Sequence, residues 1–248
     1  MSGHSKWATI KHAKGIADAK RGQMFTKFIK EISIAARMGG GDPASNPRLR
    51  TAILKARAAN MPKDNIERAI KKGTGELGNA VYEELVYEGY APGGVAVLVE
   101  VLTDNKNRAA ANVRNIFNKT GGNLGTSGSV ARMFNRKGVI EYDANAVSED
   151  EVMEVGLEAG ADDIVNEDGV ITVTTDPSSF PAVLEALQGK GFESLSASVD
   201  MVPDAYTAVD AETAMKVQKL IDRLEEDDDV QNVYTTVEYP DDFDAESA

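Results

Sequence analysis

The apolar period of this 248-residue chain is purely helical up to one glycine-rich segment and mixed beyond it, and that change constrains the architecture more than any other feature. From Ile16 to Lys72 apolar residues recur at helical spacing; after GTGELGNA at 73–80 a strand-like period first appears and then alternates with helical stretches. A helical module therefore precedes a mixed one. In the first helix Phe25, Phe28, Ile29, Ile32 and Ala36 share one face, with Lys20, Lys27, Lys30 and Arg37 roughly opposite, which predicts a cationic outer face. GGGDPAS at 39–45 ends that helix. Asn46 and Pro47 supply a cap and a first-turn proline for a second helix, with Leu49, Ala52, Ile53 and Ala56 inward. Asp64 and Glu67 have the spacing of a capping box for a short third helix through Ile66 and Ile70 to Gly73.

Past the linker, LVYEGYA and VAVLVEVLT flank Pro92-Gly93-Gly94 as a hairpin. Residues 107–119 read as a helix with Val113, Ile116 and Phe117 inward and Arg108, Asn112, Asn115 and Lys119 along the other face, a stripe placed to touch phosphates. The loop TGGNLGTSGS at 120–129 follows. From 136 to 202 the order is βαββαβ, the ferredoxin-like sequence of elements, complete within itself and so expected as an insertion into its neighbour. A helix at 210–226 and the strand VQNVYTTVEY would then return to the second domain. The expected fold is α+β and multidomain, an N-terminal three-helix bundle plus two α+β domains, one of them ferredoxin-like. The boundaries drawn are 1–79 for the basic helical domain, 80–135 with 203–240 for the second domain, 136–202 for the insertion and 241–248 for a frayed acidic tail.

Charge divides the chain along the same lines. Residues 1–72 carry 16 Lys and Arg against 5 Asp and Glu, whereas 138–248 carry 4 against 29, so the net −13 hides a basic module. A basic, acid-poor segment suits a phosphate backbone, since each neutralised phosphate releases condensed counterions, and the acidic half would orient the molecule by repelling the same partner. With no cysteine, disulfides and thiolate metal sites are excluded. The longest apolar run, VAVLVEV at 95–101, contains Glu100 and is far too short to span a bilayer. The N-terminus lacks the apolar core of a secretory signal, and the expectation is a mature cytoplasmic protein.

The candidate nucleic-acid contacts begin in SGHSKWATIKHAKGIADAKRGQMFTK with Lys6, Trp7, Lys11, His12, Lys14, Lys20, Arg21 and Lys27. They continue with Lys30, Arg37, Arg48, Arg50, Lys55, Arg57, Lys63, Arg68, Lys71, Lys72, Arg108 and Lys119. Lysine and arginine bind phosphate while Trp7 either stacks on a base or tucks against the bundle. Reversing Lys11, Lys14, Lys20 and Lys27 to Glu is expected to abolish binding. Other chemistry finds less support. A Ser-Gly-His start could hold Cu(II) or Ni(II) adventitiously. The 120–129 loop lacks the Gly-Lys-Ser/Thr ending of a phosphate cradle, so its glycines serve turns or close approach to a large partner. Glu225 to Asp229 could bind Mg²⁺ as in a nuclease, but a run at a helix end reads better as solvated charge. No catalytic residue, metal, cofactor or small-molecule substrate is expected.

Four stretches carry a family resemblance: SGHSKWATIKHAKGIADAKRGQMFTK, NMPKDNIERAIKKGTGE, YEGYAPGGVAVLVEVLTDNKNR and GGNLGTSGSVARMF. In this order they resemble the YebC/PmpR family, which includes the mitochondrial translational activator of cytochrome oxidase. The resemblance implies a three-domain protein without an enzyme active site. Family members are named as probable DNA-binding transcriptional regulators, and others are described as ribosome-associated factors that help translation through proline runs. One departure is Ala109-Ala110, where a Thr is expected after Arg108. For a DNA regulator, helices two and three would act as a helix-turn-helix, with Asn65 and Arg68 at the base edges. For a ribosome-bound factor, the basic bundle would read RNA by shape and backbone. An adaptor whose acidic face binds protein is a further alternative, expected to keep its partner without residues 2–72.

Overall fold

The computed structural model describes residues 18–78, 81–241 and 243. Helices α1 (Asp18–Gly39), α2 (Pro47–Ala58) and α3 (Lys63–Gly73) form the N-terminal bundle. Ile32, Ala35, Ala36, Leu49, Ala52, Ile53, Ala56, Met61, Ile66 and Ala69 fill its core, with Phe25, Phe28, Ile29 and Ile70 at its edge. This is the apolar stripe the helical period predicts. Asn46 caps α2 by accepting the Leu49 N–H at 3.1 Å, and its amide nitrogen donates to the Ala35 and Gly40 carbonyls, both at 2.8 Å. One side chain thus starts α2 and ties it to the end of α1.

The expected capping box of α3 does not form. Pro62 occupies the cap with no side-chain hydrogen bond, and its carbonyl accepts from Asn65 at 3.0 Å. Asp64 therefore falls inside the first turn, and Glu67 pairs with Lys63 at 3.5 Å instead. The fixed backbone angle of Pro62 starts the helix earlier than the box pattern implies. At the other end α3 closes tightly on α1. A Cβ on Gly73 would fall well inside contact distance of the Ser33 carbonyl and 2.9 Å from the Ala36 Cβ. Gly73→Ala is accordingly expected to destabilise the bundle by about 1–3 kcal/mol through overpacking. Urea denaturation checks this, and an unchanged midpoint would show that α1 and α3 separate without cost.

The second domain holds β1 (Glu83–Tyr90), β2 (Ala96–Thr103), α4 (Lys106–Lys119) and the short β3 (Asn123–Leu124). After an insertion the chain returns to it with α7 (Ala211–Glu225) and β9 (Val230–Thr235). The sheet order is β3-β1-β2-β9, every pairing antiparallel. Because side chains alternate along β2, Val97, Val99 and Val101 join α4 and α7 in one core while Ala96 and Leu98 pack with Val130 and Phe134 in another. Ala109, where the family resemblance leads one to expect Thr, is buried in the first of these cores.

The insertion comprises β4 (Phe134–Asp143), α5 (Glu149–Ala159), β5 (Asp163–Glu167), β6 (Val170–Thr175), α6 (Phe180–Gly189) and β7 (Ser196–Pro203). Its sheet order β5-β6-β4-β7 is the ferredoxin-like one, with Ile140, Tyr142, Ile171 and Val173 facing Val152 of α5 and Val183 and Leu187 of α6. β8 (Thr207–Ala208) and β10 (Val237–Glu238) form a small parallel pair where the chain re-enters the second domain. Phe243, within the stretch read as a frayed end, stacks on Tyr239 at 4.7 Å between ring centroids, so part of that stretch has an apolar anchor.

Candidate nucleic-acid interface

The predicted contacts separate into three groups. Lys6, Trp7, Lys11, His12 and Lys14 lie outside the described residues, and for Lys20 and Arg21 only the helical backbone of α1 is described. A second group is exposed on the bundle: Arg37, Arg50, Lys55, Arg57, Lys63, Arg68 and Lys71. Arg50 donates to the Pro43 carbonyl at 3.1 Å and Lys63 pairs with Glu67. Among the described residues the other five form no ion pair. Arg37 also lines an open cleft of about 430 Å³ with Gly40, Lys72 and Thr74. Lys119, at the end of α4, is likewise exposed.

The third group is turned inward. Lys27 and Lys30, expected on the outer face of α1, instead point at the C-terminal end of α7. Lys27 Nζ donates to the Glu225 carbonyl at 2.7 Å; Lys30 Nζ donates to the Asp228 carbonyl at 2.7 Å and to Asp229 Oδ1 at 2.6 Å. Gln23, one turn earlier, donates to the Glu226 carbonyl at 2.9 Å. These side chains satisfy carbonyls that a helix end leaves without partners, at the negative pole of its dipole. Lys30 is only 7% exposed. The sequence did hold a signal: Ile34, 5% exposed and outside the bundle core, follows Lys30 by four residues and so shares its face. α1 is therefore buried on two opposite sides.

The acidic run that ends in Asp229 has the pattern of solvated charge, yet Asp229 is 3% exposed. It accepts hydrogen bonds from Lys30, from Thr103 Oγ1 at 3.0 Å and from the Arg108 guanidinium at 2.8 Å. Burial by itself pushes its carboxyl up, but the hydrogen bonds from Lys30 and Arg108 outweigh that and hold it below the ordinary range. Arg108 is thus engaged within the protein, also with Asp104, and Asn112 of the same stripe donates to Asp227 at 3.0 Å. Arg48 pairs with Glu31 and reaches Glu84 of β1, and Lys72 donates to Tyr82 at 3.0 Å. Sequence reasoning missed these roles because every partner lies in another element. Reversing Lys27 with Lys11, Lys14 and Lys20 would consequently disturb this joint as well as any phosphate contact.

The glycine-rich loop is organised by a residue that sequence reasoning also passed over. Glu88 of β1, 5% exposed, accepts the N–H groups of Gly128, Val130 and Ala131, each at 2.7 Å. Burial raises its pKa, and the three backbone donors more than reverse that, leaving the carboxyl below its usual value. Thr126, Ser127 and Gly128 stay exposed at the tip. Among the described residues, no three His, Asp or Glu side chains gather as metal ligands, and no helix is long and apolar enough to cross a membrane.

A cation-studded helical bundle fastened to an acidic pair of α+β domains defines a class of multidomain protein built around charge separation. The comparisons agree with that architecture. Residues 5–76 match the model of the TACO1/YebC protein N-terminal domain, and residues 82–237 match that of the TACO1/YebC second and third domain. The chain belongs to the TACO1/YebC family. A relative from Treponema denticola, 78% identical over 98% of each chain, carries the name probable transcriptional regulatory protein. So does one from Trichlorobacter lovleyi, 62% identical over 94% of each. The crystal structure of a conserved hypothetical protein from Aquifex aeolicus superposes with a TM-score of 0.82 at 50% identity, covering 91% of this chain and 93% of that one.

Proposed function

We propose that this protein is a nucleic-acid-binding regulator of gene expression that acts without catalysis. The observation that carries the reading is the set of cations exposed on all three helices of the bundle, most of them without an intramolecular anion among the described residues. In this reading residues 1–79 are the nucleic-acid module, 80–135 with 203–240 the scaffold, and 136–202 the acidic insertion that turns away from the polyanion. The printed names of the relatives favour DNA and transcription.

Ribosomal RNA is a second reading with its own support. The exposed cations are spread over α1, α2 and α3 rather than collected on one recognition helix, and Met61, between α2 and α3, is buried in the core. Such a distribution suits contact with backbone and shape more than with base edges. A competition decides between them: sediment the protein with ribosomes at near-physiological salt while titrating promoter duplexes. Retention on ribosomes supports translation; release onto particular fragments supports transcription.

The outward cations are expected to set the salt dependence. Changing Arg50, Lys55, Arg57 and Arg68 to Gln should weaken binding at least tenfold. If all four touch phosphate, the slope of log K against log salt should fall by roughly 3–4. An unchanged slope would move the contact surface off α2 and α3.

A further inference from the structure

α1 presents Lys27 and Lys30 to an acceptor set that resembles a phosphate backbone. The Glu225 and Glu226 carbonyls at the end of α7, the Asp228 carbonyl just beyond it and the Asp229 carboxylate take up Gln23, Lys27 and Lys30 at 2.6–2.9 Å. We propose that this end of α7 is an internal stand-in for phosphate: a nucleic-acid backbone competes for Lys27 and Lys30, and binding opens the joint between the helical and second domains. The inference rests on the reading of the helical domain as a nucleic-acid module, and it adds the conformational step by which the inward-turned Lys27 and Lys30 would join the contact set.

Three features of the joint carry the proposal. The first is its chemistry, since ammonium groups held by oxygen acceptors are the bonds that an incoming phosphate can replace one for one. The second is the position of Lys27. It is held at bonding distance by a carbonyl rather than a carboxylate, and burial lowers its pKa despite Glu225, Asp227 and Asp228 nearby. Its charge is held less favourably there than it would be beside a solvated phosphate. The third is the connection. The bundle leads into the second domain through a segment in which Gly75 and Gly78 adopt positive φ of 88° and 98°, with open space where a Cβ would lie. A chain so built can reorient without unpacking either core. In the closed state the two lysines are withheld, so apparent affinity is reduced by the fraction of molecules that are open.

The absence of cysteine allows clean labelling. Donor and acceptor dyes at Leu54→Cys on α2 and Met215→Cys on α7, both exposed positions, report the distance across the joint in the full chain. The probes are a 20-base-pair DNA duplex and an RNA duplex of the same sequence, titrated at physiological salt. Transfer efficiency is expected to change as the preferred duplex saturates. Asp229→Asn, which weakens the internal acceptor, is expected to shift the free protein in the same direction and to tighten binding about tenfold. Gln23→Ala removes the bond to the Glu226 carbonyl across the joint without touching either lysine and should tighten binding by about threefold, so the result does not depend on one variant folding. Binding with unchanged transfer, and both variants at or below wild-type affinity, would overturn the inference alone and leave the joint as a fixed scaffold. Failure of the wild-type protein to bind either duplex would remove the nucleic-acid reading, and this inference with it.

Discussion

Asp229→Ala is expected to lower the stability of the protein by about 3 kcal/mol, the low end for a broken buried ion pair, because it takes the anion from the Lys30 ammonium, which then regains water only as the joint opens. Lys30 and Asp229 are 7% and 3% exposed, and Asp229 also receives Thr103 and Arg108, so one truncation strands donors from three segments. Arg108 can fall back on Asp104, whereas among the described residues Lys30 keeps only the Asp228 carbonyl. Urea denaturation of the two proteins measures the difference. A loss under 1 kcal/mol would mean that water reaches the joint freely. The same residue fixes a pH dependence. The pKa of Asp229 is lower in the folded state than its ordinary 3.8, so its contribution is fully present above that value. It is lost as pH falls through the folded value. The denaturation midpoint should therefore drop below about pH 4, and less steeply in the Ala variant. Glu88, also held below its ordinary value, contributes in the same direction.

Glu88→Ala is the second large effect, expected at about 3 kcal/mol, since three backbone N–H groups lose a charged acceptor. Val130 is fully buried and has no access to water as a substitute, while Gly128 is exposed and can rehydrate. The loss should be local as well as global. Amide exchange at Gly128, Val130 and Ala131 is expected to accelerate roughly a hundredfold, with the amides of α4 much less affected. Glu88→Gln keeps one carbonyl oxygen but turns an N–H₂ toward one of the donors, so its effect should fall between Ala and wild type. Protection of the loop unchanged in the Ala variant would show that the glycines, not the carboxylate, set its shape. The loop tip matters to function only if it meets a partner, and its rigid base is what would make such contact specific.

The elements of the fold were legible because each is written in a local period. The helical stripe of Phe25 through Ala36, the alternation of β2 and the βαββαβ order from 136 to 202 all express burial of one face by the nearest core. The return of α7 and β9 to the second domain also followed, because the inserted unit closes on itself and leaves β2 with an unpaired edge. The capping box of α3 failed for a local reason, namely that Pro62 competes for the same turn.

The candidate site was legible only as a charge. Sixteen cations in the first 72 residues establish an electrostatic module whatever their directions, because net charge does not depend on packing. Periodicity told which face of α1 is apolar; it did not tell what covers the opposite one. Lys30 meets Asp229 across 199 residues of sequence, a pairing that exists only once two folded units have docked, and Arg108 meets it across 121, a pairing that exists only once the two parts of the second domain have come together. The same holds for Glu88, whose partners lie 40 to 43 residues on, in a loop with no period of its own. Sequence alone thus determined the main helices and strands, their order along the chain and the polarity of the charge. Tertiary structure decided which cations face solvent and which close the joint, because that choice depends on surfaces brought together by folding rather than on neighbours along the chain.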